Sequence, residues 1–325
     1  MQFARNVALN LFRALANAYG MSVMLFLLLN WLIGERWAVL AFFETFVVWV
    51  WLFALMVLPL ALLTRSWWSA LMIMPAIIAL GVQYGGQFLP KPMPTDAPNL
   101  SVLTYNLFAD GRSPQASLAI IRASGADIVA LQEYSQLADS VLPKSLRDVY
   151  PYQATHPTRI DTQGQAVYSR YPIIEDSVWQ YDWLPVGKLM HQRVLLDIDG
   201  RLVAVYNSHP THPGMQGSFF NPIWRSREIA DVLTRTQQET VPVLWLGDFN
   251  MPDQSDDYAH ITAHFGDSYR AVGWGFGFTW RWALQAPFVR LDYVFYSADF
   301  TPISAQVWAQ NGGSDHYPVK VAFQF

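Results

Sequence analysis

Over the first 90 positions apolar residues run almost without interruption, broken by only six charges, Arg5, Arg13, Glu35, Arg36, Glu44 and Arg65. Runs of this kind predict membrane-spanning helices, because a bilayer core takes ~20 consecutive apolar residues to cross. Three spans are expected, at about 14–33, 37–63 and 66–89, within a membrane domain covering 1–90. The short breaks Gly34-Glu35-Arg36 and Thr64-Arg65 make neighbouring helices antiparallel hairpins. Trp31, Trp37, Trp67 and Trp68 fall at the predicted ends, where indole rings favour the interface. Glu44 lies inside the second span, a depth at which a carboxylate is a functional candidate. The preferred reading is that it reaches the headgroups from near the helix end. A cleavable leader fits the first run poorly, since its apolar stretch is long and no small-residue cleavage site follows.

Beyond position 90 the pattern changes. Residues 91–99, with Pro92, Pro94 and Pro98, read as a stiff extended linker. Short β-rich apolar runs then recur at 100–105, 127–131, 193–198, 202–206, 241–246, 291–296 and 318–325, and read as strands. Helical spacing appears at 114–123, after a Ser113-Pro114 start, and at 226–236, where Ile229, Val232 and Leu233 share one face. The length from 100 to 325 suits one large domain.

Charge and cysteine content narrow the chemistry. Over 100–325 there are 16 Lys or Arg and 22 Asp or Glu, a net charge of −6 with no basic cluster, which argues against a polynucleotide partner. With no cysteine, disulfides and thiolate chemistry are excluded.

Six polar signatures each end or follow an apolar run: Thr104-Tyr105-Asn106, Leu131-Gln132-Glu133, Asn207-Ser208-His209, Gly247-Asp248-Phe249-Asn250, Leu291-Asp292-Tyr293 and Ser314-Asp315-His316. Alone, Asp-Phe-Asn is usually a turn whose end residues bond their own backbone. Together the six supply carboxylates, amides and two histidines, the groups that metal-assisted attack of water on phosphorus requires. Their order, with Ser-Arg-Tyr-Pro-Ile at 169–173, resembles the endonuclease/exonuclease/phosphatase superfamily over 100–325. The resemblance implies a DNase I-like, four-layer αββα sandwich of α+β class following the transmembrane helices, and an enzyme, a hydrolase of phosphate ester or pyrophosphate bonds.

Roles follow from the resemblance residue by residue. Glu133, Asn106 and Asp315 match the metal positions, with Mg2+ expected, Mn2+ as the alternative and zinc disfavoured for want of a His-rich cluster. Asp248 and Asn250 face the phosphate, and His209 and His316 carry or donate positive charge to the transition state. Asp292 hydrogen-bonds His316 and favours its imidazolium. Asp248 is preferred as the base, with His316 the alternative. Arg170, Trp280, Arg281 and His212 are candidates for substrate contact, although His212 also reads as an ordinary loop histidine before Pro213. Abasic-site nucleases of the superfamily carry an Asp two residues after the first Asn; here that position is Phe108, and Asp110 is out of register.

The glycine-punctuated aromatic stretch at 274–282 suits either core packing or a grip on a membrane interface or lipid chain. The architecture resembles the membrane-anchored bacterial branch associated with glycopeptide resistance, against vancomycin and teicoplanin. The expected substrate is therefore a phosphorylated or pyrophosphorylated lipid at the membrane. A phospholipid or sphingolipid phosphodiesterase and a nuclease are the enzymatic alternatives, and a binding protein on an inactive scaffold is the non-enzymatic one. Arg5, Arg13 and Arg65 favour an inside N-terminus, which with three crossings makes the protein multi-pass in the cell membrane and puts the catalytic domain outside the cytoplasm.

Overall fold

In the computed structural model residues 1–325 are described except 92–96, 109–112, 185–188, 215–218 and 283–285. Most of the expected linker and Asp110 therefore lie outside the described residues. The chain divides into two compact units, 1–89 with 254–256, and 90–253 with 257–325.

The first unit is helical: α1 (Gln2–Ile33), α2 (Ala38–Thr45), α3 (Val47–Leu63) and α4 (Trp67–Tyr84). Two stretches, Gln2–Arg36 and Trp67–Phe88, are long and apolar enough to cross a membrane. Where one span was expected over 37–63, α2 and α3 meet at Phe46 with a bend of 60°. α1 and α4 pack closely at Gly20, where a Cβ would come within 2.3 Å of the Met72 carbonyl oxygen. Glu44 does not reach outward as expected. It is buried, and Oε1 accepts a hydrogen bond from Asn30 Nδ2 at 3.0 Å, which offsets part of the cost of placing a carboxylate among apolar helices.

Two six-stranded sheets build the second unit. In chain order its elements are β1 (Leu100–Asn106), α5 (Pro114–Ser124), β2 (Ile128–Gln132), α6 (Gln136–Leu146), β3 (Tyr152–His156), β4 (Gln165–Ser169), β5 (Ile173–Trp179), β6 (His191–Ile198) and β7 (Arg201–Ser208). They continue with α7 (Ile223–Gln237), β8 (Val243–Asp248), α8 (Asp256–Thr262), β9 (Gly266–Asp267), α9 (Ser268–Val272), β10 (Asp292–Tyr296), β11 (Thr301–Val307) and β12 (Val319–Gln324). The strand orders are β11-β12-β1-β2-β4-β3 and β5-β6-β7-β8-β10-β9. Each sheet has one parallel pair at its centre, β1 with β2 and β7 with β8. All other pairings are antiparallel.

Alternation along the strands explains the layers. In β1 Leu100 and Val102 face the core between the sheets, while Leu103 and Tyr105 face the outer side, where α5 and α6 contribute Ile121 and Leu142. In β8 Leu244 and Leu246 face inward, and Val243 and Trp245 pack outward with Ile229 and Val232 of α7. The result is helix, sheet, sheet, helix, the expected four-layer sandwich. α5 starts at Ser113 and Pro114 as expected, but the Ser113 side chain makes no capping bond and its hydroxyl turns to Gln115.

Candidate active site

The same alternation places polar side chains at one end of the inner faces. Following Val102 inward by twos gives Thr104 and Asn106; following Ile128 and Ala130 gives Gln132; β7 and β8 end inward at Asn207 and Asp248. Because β1/β2 and β7/β8 are parallel, the C-terminal ends of each pair lie at the same edge of its sheet. The sheets are tied there by polar contacts: Gln132 Nε2 donates to Asn207 Oδ1 at 2.7 Å, and Asn106 Nδ2 to Asp248 Oδ2 at 2.9 Å.

Above this belt lies a cavity of about 200 Å³ lined by Phe108, Glu133, Thr162, His209, His212, Asp248, Asn250, Trp280, Leu291, Asp315 and His316. Among the described residues five non-glycines have positive φ, and three of them, Phe108 (49°), Glu133 (53°) and Asn250 (49°), line it. Asn tolerates this region, whereas Glu and Phe are held in it at a cost of ~1–3 kcal/mol each. The turns after β1, β2 and β8 are thus bent to aim their residues into one cleft. Gly247 (φ 148°) serves the same end, since a Cβ there would come 1.9 Å from the Ser208 carbonyl oxygen across the parallel pair.

Asp248 is the centre of the arrangement. Its Oδ1 accepts the Asn250 backbone N–H at 2.9 Å, and its Oδ2 lies 3.5 Å from His209 Nε2 and 3.4 Å from His316 Nε2. Asp292 is its direct cross-strand neighbour on β10. Facing carboxylates repel, and His316 relieves this by lying between them, with Nδ1 2.8 Å from Asp292 Oδ2. Burial opposes a charge on His316, but Asp292 and Asp248 outweigh it and push its pKa up to about 10. His209 has Asp248 at 3.5 Å on Nε2, and among the described residues its buried Nδ1 has no hydrogen-bond partner. Burial pushes its pKa down to about 4, against the pull of Asp248. Of the two histidines expected to carry or donate positive charge, the surroundings of His316 favour its charged form and those of His209 its neutral form. Burial also lowers the pKa of His212, whose Nδ1 accepts the Gly214 N–H at 2.9 Å.

Two sets of donor atoms come into question for a cation. Atoms of Asp248, Asp292 and His316 lie within 4.8 Å of one another, close enough to share an ion. An imidazolium has no lone pair to give, so this trio reads more naturally as a charge-balanced proton network. Elsewhere in the cavity, Asp315 Oδ1 is buried without a hydrogen-bond partner among the described residues, while Oδ2 accepts from Trp280 Nε1 at 3.2 Å. An orphaned carboxylate oxygen in the cavity that Glu133 also lines fits a hard cation. Asn106, expected at the metal, stands between the carboxylates. Its amide nitrogen bridges Glu133 Oε1 (3.2 Å) and Asp248 Oδ2, and its oxygen accepts the Phe108 N–H at 2.9 Å, so as placed it orients both carboxylates.

The sequence matches the endonuclease/exonuclease/phosphatase family over residues 103–316. The chain belongs to that family. Its members are hydrolases of phosphate esters, and the chain has their fold. Solved structures similar to it include a family protein from Beutenbergia cavernae (22% identity, 70% of this chain and 72% of that one, TM-score 0.56). A mannosyl-6-phosphatase from Bacteroides thetaiotaomicron is 18% identical over 70% of this chain and 100% of its own, with TM-score 0.57. TDP2 of D. rerio, complexed with single strand DNA product, is 17% identical over 70% and 99%, with TM-score 0.57. No curated protein matches by sequence.

Of the family positions named from sequence, Glu133, His209, Asp248, Asn250, Asp315 and His316 line the cavity, with His212 and Trp280. Asn106 and Asp292 stand behind them. Arg281 is bonded to the Ser314 carbonyl oxygen, through Nε at 3.4 Å and Nη2 at 3.3 Å. Arg170 is not brought to the site. It lies beyond the opposite end of β2, paired with Asp127 at 2.9 Å, because β4 runs antiparallel to β2 and carries it away from Glu133. Sequence reasoning missed Thr279 as a support. Its buried hydroxyl accepts the N–H groups of Leu291 (3.0 Å) and Asp292 (3.1 Å), fixing where β10 begins. The aromatic stretch around it divides: Thr279 is core, whereas Trp274 and Trp282 are 62% and 74% exposed.

Proposed function

We propose that this protein is a membrane-anchored, magnesium-dependent phosphoesterase acting on a phosphorylated or pyrophosphorylated lipid. The observation that carries the reading is a cavity of phosphate size in which anionic and histidine groups meet the apolar surfaces of Phe108, Trp280 and Leu291, in a chain that also has helices apolar enough for a membrane. A cavity of about 200 Å³ admits a terminal phosphate more readily than a duplex backbone, and the net acidity of the domain points the same way.

In this reading Asp248 takes the proton of the attacking water, since His316 is protonated at neutral pH and has no free site for it. His316 places its positive charge opposite the non-bridging oxygens, while Asp292 holds the ring in orientation. His209, neutral, contributes a hydrogen bond. Asn250 orients the water or a phosphoryl oxygen. Glu133 and Asp315 would hold magnesium, which would supply charge neutralisation at the phosphoryl group. Phe108, Trp280 and Leu291 exclude water from the leaving-group side.

Purified full-length protein in detergent, given magnesium, should hydrolyse prenyl pyrophosphates or other lipid phosphates in preference to lysophospholipids, sphingomyelin, inositol phosphates and plasmid DNA. Turnover should cease on exhaustive chelation and return with added Mg2+ or Mn2+. Activity that survives chelation overturns the metal assignment, and preference for DNA selects the nuclease reading instead.

The catalytic domain in this proposal lies outside the cytoplasm, as in the membrane-anchored branch that the architecture resembles. An alkaline phosphatase fused after Asn99 should be active in cells. An inactive fusion, with a fluorescent cytoplasmic reporter at the same site, reverses the orientation.

A further inference from the structure

Two fully buried charged residues on α7 have no part in the chemistry above. Arg225 and Glu228 are each 0% exposed, and neither lines the cavity. Arg225 Nη1 donates to the Asn250 carbonyl oxygen at 3.0 Å, and its Nε to Asp257 Oδ2 at 2.9 Å. Glu228 Oε1 accepts the Thr211 backbone N–H at 3.0 Å, and its Oε2 lies 3.1 Å from His191 Nε2. The two loops so held are themselves joined, Asn250 Nδ2 donating to the Pro210 carbonyl oxygen at 3.0 Å. A ring of hydrogen bonds therefore runs from α7 through Thr211 and Pro210 to Asn250 and back to α7. One loop carries His209 and His212, and the other follows Asp248 at the end of β8 and carries Asn250.

Hydrophobic burial gives no reason for these charges, because apolar side chains of similar volume would pack there without the desolvation cost. Position does. Asn250 sits at φ 49°, and its carbonyl direction is the one the Arg225 fork captures. Thr211 stands between the two histidines of its loop. We infer that Arg225 and Glu228 are positioning residues that set the separation of His209 from the Asp248–Asn250 turn across the cavity. A helix with fixed side-chain spacing acts as the gauge, so both loops are referred to one rigid element. The inference rests on the proposed phosphoester hydrolysis for its kinetic test, and has a structural test that does not.

The kinetic test uses the full-length protein in detergent with magnesium and p-nitrophenyl phosphate. Arg225→Met and Glu228→Ala should lower kcat by about 10- to 100-fold, the scale of a small misplacement of reacting groups, with KM within about twofold. Glu228→Gln keeps an oxygen for the Thr211 N–H and should recover most of the rate. Arg193→Met, which removes a charge from the Glu239 pair on the same sheet, should leave kcat unchanged. Arg225→Met combined with Asn250→Ala should be no slower than Asn250→Ala alone, since both break one ring.

The structural test reads the imidazole signals of the seven histidines by NMR in labelled protein, where Arg225→Met and Glu228→Ala should displace the His209 signal. Folded variants that keep both the wild-type kcat and the wild-type His209 signal overturn the inference, as does an equal loss in Arg193→Met. Should Arg225→Met not fold, Arg225→Lys and Glu228→Ala carry the same comparison. If the wild type hydrolyses no phosphate ester, the proposed function fails while the His209 signal still decides the positioning.

Discussion

His209 and His316 enter one cavity from different sheets, and their surroundings favour different charge states. Both are buried, and both have Asp248 Oδ2 within 3.5 Å. The difference lies behind the rings. His316 has Asp292 at 2.8 Å on Nδ1, while His209 Nδ1 is buried with no hydrogen-bond partner among the described residues. A second carboxylate thus decides whether desolvation or Coulombic attraction wins, and the two pKa values end near 10 and 4. Groups of one type held apart in this way can do different work at one pH, one as a cation and one as a neutral hydrogen-bonding partner.

The sharpest way to break the contrast is Asp248→Asn, which removes the anion that both rings share. Turnover should fall by about 10³-fold while circular dichroism and thermal unfolding stay near wild type. A mild loss would mean that Asp248 is neither the base nor the keystone of the charge balance.

Asp292→Asn tests the cation alone. The histidine's pKa is raised in the folded protein, so the imidazolium persists below about 10 and is lost as pH rises through that value. Removing the carboxylate should move the alkaline limb of the pH–rate profile downward and cost about 100-fold near neutrality. With His316→Ala added, the double variant should be little worse than His316→Ala, because the pair acts as a unit. Multiplicative losses with an unmoved alkaline limb would assign Asp292 a purely structural part.

His209→Gln should have the smallest effect, about 10-fold on kcat, and leave the alkaline limb in place. Its signature lies in stability. A histidine whose folded pKa is depressed weakens the fold as pH falls from its ordinary 6.5 towards about 4, since the unfolded chain binds the proton more readily there. The variant should lose that acid-side decline in denaturant titrations, and retention of the full decline would show that another group is responsible.

Much of the scaffold was legible because it rests on local pattern. The strand expected over 100–105 is β1, that over 202–206 lies in β7, and the helix at 226–236 lies within α7. β3, β4, β5, β9 and β11 were not anticipated. β5 shows why: it runs along the edge of its sheet with Glu175, Asp176 and Ser177 exposed, so it has no apolar run to announce it. α6 was hidden in the same way by Pro143 within its length. Arg170 was misplaced because a motif gives neighbourhood along the chain, whereas an antiparallel partner reverses direction in space.

What the sequence determined by itself was the inventory and its spacing: apolar helices first, then β-rich runs with the polar signatures beside them that carry Asn106, Glu133, His209, Asp248, Asp292 and His316. Period-two patterning is a property of a single strand, so it can be read without knowing any partner. Charge state and aim could not be read that way. That His316 is cationic and His209 neutral, that Asn106 bridges two carboxylates, and that a buried arginine and glutamate on α7 hold two distant loops all depend on groups far apart in sequence. Electrostatic energy depends on distance and burial, and only the packing of one sheet against the other supplies them.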